Sequence, residues 1–422
     1  MKITDVERIE LDVGFTPRTE PHMRRGITNF SLIEICRVTT DSGIVGWGES
    51  RAMHNWDRDI AAVDAGIIGR NPAELLWRDE LGSGLQQAMF DLTGKALGVP
   101  AHRLIGRQAR AWVPLAWWCY DMPPEDLAAE AEDAIAAGYT AFKLKPRPWF
   151  DLTAQMEAIS AATPDHATFD LDFNGFLLDA GFAQQVLAEL EAFPKIHMFE
   201  TPIPQSDVAG NSTLRAKSRR AIALHFEEPD FLTATRERVC DGFAGHGEGV
   251  GSALHYAALA HAANLPFFVQ VVGTGITTAF AAHLSAALPA ARWPAVTASN
   301  VYPDDLLREP LDIQRGYVRV PEAPGLGIEI DEQALETFRR DASGPKPLPR
   351  AIYTVRWADG GTAEYVSVHA YERDFTIGNQ PAFERGVTLT TREDDGSVEF
   401  DNRYRAVAAG GIAPPSLLIP SF

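Results

Sequence analysis

Three polar signatures close successive apolar runs at nearly even pitch, and this spacing constrains the fold more than any other feature of the chain. Lys143-Leu144-Lys145 follows Tyr139-Thr140-Ala141-Phe142, Asp172-Phe173-Asn174 follows Ala167-Thr168-Phe169, and Glu200-Thr201-Pro202 follows Ile196-His197-Met198-Phe199. Lys145 and Asp172 lie 27 residues apart, and Asp172 and Glu200 lie 28 apart. A strand, a helix and two loops need about that length, so consecutive β/α units are expected. Strands buried on both faces read as continuous apolar runs. Such runs recur at 113–119, 222–225, 242–244, 267–272 and 295–301, which brings the number of predicted strands to eight. In a closed barrel of such units the strand ends share one rim, where the chemistry sits. Two lysines and two carboxylates on one rim point to a metal site beside an amine base.

The flanks read differently. Residues 3–13 alternate loosely like a strand, and 30–39 and 44–49 flank the turn Thr40-Asp41-Ser42-Gly43, a hairpin signal. Between them, 15–29 is polar and carries Pro17, Pro21 and Gly26, so a mobile loop is expected. Leu85, Ala88, Met89, Leu92 and Ala96 form a helical stripe that Gly98 stops. Beyond the barrel, 352–357 and 362–368 read as one hairpin, and 386–391 and 397–400 as another. The expected organisation is an α+β capping domain at 1–110, a (β/α)7β TIM-like barrel at 111–320, a return segment to the cap at 321–349 and a small β-rich C-terminal extension at 350–422.

Bulk properties narrow the partners. Lys plus Arg number 38 against 57 Asp plus Glu, a formal net charge of −19, which argues against a nucleic-acid surface. No run of about 18 apolar residues is present, so no membrane span is expected. The three cysteines, Cys36, Cys119 and Cys240, are far apart, and the first six residues lack the apolar core of a signal peptide. Free thiols in a reducing cytoplasm are the expectation.

These pieces together resemble the enolase superfamily, in particular its mandelate racemase and muconate lactonizing enzyme group. The helix of residues 84–106 resembles that family's last capping helix, and residues 138–145 resemble its second-strand lysine motif. Asp172-Phe173-Asn174 and Glu200-Thr201-Pro202 resemble its first two metal-ligand motifs, and Pro324-Gly325-Leu326-Gly327-Ile328-Glu329 resembles its closing segment. The resemblance runs to about residue 345. It implies abstraction of a proton next to a carboxylate, with Lys145 as base, Asp172 and Glu200 on Mg (or Mn), and a homo-oligomer acting on a small-molecule carboxylate substrate. A carbon acid of this kind is very weak, so its dianionic intermediate needs strong charge stabilisation. Lys143 shares the Lys145 strand face, and a neighbouring cation lowers the proton affinity of Lys145. Asn174, one pleat beyond Asp172, is a candidate hydrogen-bond partner of substrate or of a ligand.

Two departures from the family pattern stand out. At the fifth strand the family has Asp or Glu, whereas this chain reads Ala221-Ile222-Ala223-Leu224-His225-Phe226-Glu227. His225 and Glu227 share a strand face, and either is a candidate third ligand. An imidazole there would favour a transition metal over Mg. The sixth strand lacks the lysine, and the seventh the histidine, that supply a second base in relatives. One-sided chemistry is therefore expected, with His246 or Tyr302 as candidate acid. The Gly273-Thr274-Gly275 turn offers backbone donors for a substrate carboxylate. His22, Arg24, Arg25 and His54 in the capping loops are candidate contacts to an acid sugar. The expected function is a metal-dependent lyase that eliminates water from a hydroxy acid. An epimerase or cycloisomerase of the same fold, and a non-catalytic barrel binding a small acid or a protein, are the alternatives.

Overall fold

The computed structural model describes residues 1–410 except 227, 247, 248 and 382, and the backbone alone of 246. Strands β1 (Ile3–Asp12), β2 (Leu32–Thr40) and β3 (Val45–Arg51) form an antiparallel sheet in that order. Helix Ser83–Leu97 packs on it and ends at Gly98, whose φ of +70° is a left-handed cap. Contact is close because glycines meet: a Cβ on Gly48 would lie 2.0 Å from the Gly84 carbonyl oxygen.

The predicted barrel is present and closed. Its strands are β4 (Trp112–Cys119), β5 (Ala141–Leu144), β6 (Thr168–Asp172), β7 (Ile196–Glu200), β8 (Ala221–His225), β9 (Gly242–His246), β10 (Phe267–Gln270) and β11 (Ala295–Val296). All are parallel and paired with their neighbours, and β11 pairs back onto β4. β11 is shorter than its apolar run, because Ser299–Val301 turns into a 3-10 helix. A small hairpin, β12 (Ile313–Gln314) and β13 (Tyr317–Arg319), runs antiparallel against β4. Fully buried Phe142, Phe169 and Phe199 anchor the β5–β7 core; each such side chain contributes roughly 2 kcal/mol by leaving water.

Residues 15–29 are not the mobile loop expected from their polarity. Thr19, His22, Met23 and Arg25 are buried around the short helix Glu20–Met23. Arg18 binds Glu130 at 2.9 Å and Asp133 at 2.6 Å on the first barrel helix, Pro124–Ala136. The polar residues are polar because they dock on a charged helix.

The return segment passes back along the cap, where Arg340 binds Glu10 at 2.5 Å and Lys346 binds Asp12 at 2.7 Å. The extension carries β14 (Ala351–Arg356), β15 (Thr362–Tyr365) and β16 (Thr388–Glu393) in the order β15-β14-β16. It also holds two helices, Val368–Thr376 and Val398–Gly410. The second predicted hairpin is thus half right: 388–393 is a strand, but residues after Ser397 wind into a helix. Its core joins Trp149 and Phe150 of the barrel to Tyr353, Val355, Trp357, Tyr371 and Phe375.

A buried histidine stack ties the elements below the rim. His283, on helix Gly275–Ala287, faces His102 with ring centroids 5.5 Å apart and contacts the Leu326 carbonyl through Nε2 at 3.0 Å. Burial, opposed by that carbonyl and reinforced by His102, pushes His283 down to about 4. The unfolded chain therefore takes up this proton first as pH falls, and stability is full above pH ~6.5 and lost towards pH 4. The expected loss is about 3 kcal/mol across that window, read by urea unfolding at several pH values. His283→Gln should remove this contribution to the slope, while His22, His102 and His197, also lowered by burial, keep theirs; an unchanged slope would contradict this account.

Candidate active site

The strand register builds the site. Lys143 pairs with Asp170 and Asp172 with Glu200, so Lys143 of β5, Lys145 just past its end and the carboxylates of β6 and β7 face one interior. Lys143 Nζ donates to Glu200 Oε2 and lies 3.3 Å from Asp170 Oδ2 and 3.4 Å from Asp172 Oδ2. Phe268 of β10 covers it, with its ring centroid 4.8 Å away. Lys145 Nζ donates to Asp172 Oδ2 and, at 3.2 Å, to Asn174 Oδ1. Asn174 Oδ1 also accepts from Arg147 Nη2 at 2.8 Å, and its backbone N–H donates to Asp172 Oδ1 at 3.0 Å. Asn174 and Thr201, just past two strand ends, have φ of +48° and +43°. A β-branched threonine rarely holds that backbone, and such strain concentrates at working sites.

The two lysines are tuned in opposite directions. Burial opposes the charge on Lys143, but Asp170, Glu200 and Asp172 outweigh it and raise its proton affinity, so it stays cationic. Burial lowers Lys145; Asp172 opposes this, and Lys143 adds to it. Burial also disfavours the Asp172 charge, yet Lys145 and Lys143 overcome it and hold the carboxyl well below its usual range. Asp170, buried beside these anions, is pushed far up.

Asp170 and Arg147 escaped the sequence reading. The pleat is the signal for Asp170, since it lies two residues before Asp172 on one strand face. Arg147, whose guanidinium carbon sits 4.7 Å over the Phe176 ring, follows the lysine motif by two residues but lies in a loop, where spacing carries no directional information.

Of the other candidates, His225 is drawn in: its Nε2 lies 3.3 Å from Glu200 Oε1. Glu227 and the His246 side chain lie outside the described residues. Tyr302 is not poised as an acid. Its hydroxyl donates to the Phe30 carbonyl at 2.8 Å, and burial pushes its proton affinity far up. The Thr274 turn does not await a substrate either. Glu49 of β3 takes its backbone N–H at 2.6 Å, its hydroxyl at 3.0 Å and the Thr277 N–H at 2.9 Å, filling a helix N-terminus from the capping domain.

The capping-loop arginines differ from expectation as well. Arg25 is buried, donates to the Asp121 backbone carbonyl and binds the Asp121 carboxylate at 3.0 Å. His22 is clasped between Arg25 at 2.9 Å and Asp126 at 2.7 Å. Arg24 is half-buried and lines a separate cavity with Lys346 and Arg350. His54 contacts Arg51 at 2.6 Å. Docking the cap on the barrel uses the polarity that the sequence suggested for substrate.

The donors fit a divalent cation in kind. Glu200 Oε1 is buried and accepts no hydrogen bond among the described residues, with the His225 imidazole facing it and Asp172 on the adjacent strand. Among the described residues no three such donors are already gathered for a metal; Lys143 takes Glu200 Oε2 and Lys145 takes Asp172 Oδ2. On the seventh strand the interior position above Phe268 is Gln270, which is no base.

A cleft of about 500 Å³ opens on this rim, lined by Asn174, Thr201, Gln205, His225, Glu228 and Thr376 among others. Among the described residues no helix is long and apolar enough to cross a membrane.

Residues 126–334 match the family described as enolase C-terminal domain-like. D-galactonate dehydratase of Xanthomonas campestris pv. campestris (strain B100) is 25% identical over 373 residues, covering 78% of this chain and 95% of that protein. An enolase from Mycobacterium smegmatis str. MC2 155, complexed with tartrate, superposes with a TM-score of 0.68 at 23% identity, over 80% of this chain and 91% of that one. Muconate cycloisomerase from Pseudomonas fluorescens superposes at 0.65 and 24% identity, over 81% and 99%. The capping sheet and closed barrel agree with the family match, and the chain belongs to the enolase superfamily, within its mandelate racemase/muconate lactonizing enzyme group.

Proposed function

We propose that this protein is a carbon–oxygen lyase that removes the proton α to a carboxylate and eliminates water from a hydroxy acid of the acid-sugar class. The observation that carries this reading is Lys145: a mostly buried amine of lowered proton affinity, held by Asp172 and Asn174 beside the permanent cation Lys143. The family relatives named D-galactonate dehydratase support the class of reaction. In the mechanism, the Lys145 amine takes the C2 proton, and the released electron pair forms the C2–C3 double bond. The C3–O bond breaks, and the oxygen leaves as water with a proton from the Lys145 ammonium. The enol left behind ketonises to a 2-keto acid. A divalent Mg or Mn, held by Asp172, Glu200 and either His225 or Glu227, would supply Lewis-acid stabilisation of the substrate carboxylate. Gln270 in place of a second base supports one-sided elimination over racemisation through opposed bases. The three free thiols are buried, which suits the cytoplasm as the proposed compartment.

The test is a panel of aldonic acids in deuterium oxide with Mg or Mn. Expected are α-hydrogen exchange, 2-keto acid formation and one bound metal per chain that Asp172→Ala loses. A panel with neither exchange nor turnover would overturn the lyase reading and favour a binding barrel.

A further inference from the structure

The C-terminal extension begins after the family match ends at residue 334, yet it sits against the site. Phe383 packs on Phe173, the residue between Asp172 and Asn174, with centroids 6.0 Å apart. Phe375 packs on Phe176 at 6.1 Å and Tyr371 on Trp149 at 5.6 Å. The Gly386 N–H donates to Asp151 Oδ2 at 2.7 Å. These contacts cover the loops after β5 and β6, which carry Arg147 and Asn174. Phe383 holds a φ of +47°, a left-handed backbone that bulky residues seldom adopt, while its ring stays in this seam. Helix Val368–Thr376 therefore ends over the rim, and Thr376, exposed, closes one side of the cleft that Asn174 and His225 line.

We propose that this helix is the outer wall of the substrate cleft, and that Thr376 determines the chain length of hydroxy acid the site accepts. The cleft sets the hydroxyl, amide, imidazole and carboxylate groups of Thr201, Gln205, His225 and Glu228 beside the apolar Phe176 and Leu178, so it offers hydrogen bonds to the hydroxyls of an acyclic polyhydroxy tail and apolar contact to its carbon chain. This rests on Lys145, Asp172 and Glu200 being the reacting centre, from which the tail extends past Asn174 towards Thr376.

The experiment uses the full chain with Thr376→Trp and Thr376→Ala, against straight-chain hydroxy acids of three to six carbons. Both kcat/KM and calorimetric binding are measured, and melting curves verify folding. Thr376→Trp is expected to lower both quantities about tenfold more for six-carbon than for three-carbon acids, and Thr376→Ala to shift the length preference by a few-fold. Equal factors at every length, in turnover and in binding alike, would overturn the proposal. If the unaltered protein binds these acids but exchanges no α-hydrogen, the reading of Lys145 as base fails while the binding series still decides the wall. Binding by no acid in the series would overturn both.

Discussion

Lys145→Met is expected to abolish α-hydrogen exchange, with kcat falling about 10²–10⁴-fold, the range of a positioned general base. The loss would be chemical: Asp172 keeps Lys143 at 3.4 Å and the Asn174 N–H at 3.0 Å, so the rim retains its shape. Lys145→Arg separates charge from basicity. It preserves a cation at the rim but one that does not deprotonate at working pH, so it should be as inactive as the methionine variant. Proton NMR in deuterium oxide reads exchange independently of elimination. Exchange that survives in Lys145→Met would transfer the base role to another residue.

The second large effect is on stability. Lys143 is fully buried, and its ammonium is the shared partner of Glu200, Asp170 and Asp172. Lys143→Met leaves those carboxyls facing one another without it, and removing one member of such a buried set costs about 3–5 kcal/mol. The urea midpoint should drop accordingly. Activity should fall with it, because Lys145 loses the neighbour that lowers its proton affinity and becomes the remaining counter-ion for Asp172 and Glu200. Lys143→Met combined with Glu200→Gln should recover part of the stability but none of the activity, since it removes a charge from each side of the pair. A single variant as stable as the unaltered protein would show that Lys143 does not hold this cluster together.

The barrel was legible because its physics is periodic. Strands covered on both faces must be apolar throughout, so each polar residue ending such a run marks the rim, and Lys145, Asp172 and Glu200 fell into place from pitch alone. The fifth run left two alternatives, His225 at its end and Glu227 by pitch; His225 faces Glu200, and Glu227 lies outside the described residues. Where polarity serves docking between domains, the same logic misled. Arg25, His22 and the Thr274 turn carry the groups of a substrate site, but Asp121, Asp126 and Glu49, distant in sequence, satisfy them. Only the folded arrangement reveals those partners. The extension was harder still. Residues after Ser397 alternate too briefly to separate a strand from the first turn of a helix, and nothing local in Phe375 or Phe383 says that their rings meet Phe176 and Phe173.

That aromatic seam changes how inherited variation in the final seventy residues should be interpreted. A change at Tyr371, Phe375 or Phe383 would propagate through Trp149, Phe176 or Phe173 to the loops flanking the reacting amine. Such a change would present as altered catalysis rather than as damage to a dispensable tail. Scoring variants by family position alone would miss these residues, whereas the packing ties them to the loops of the rim.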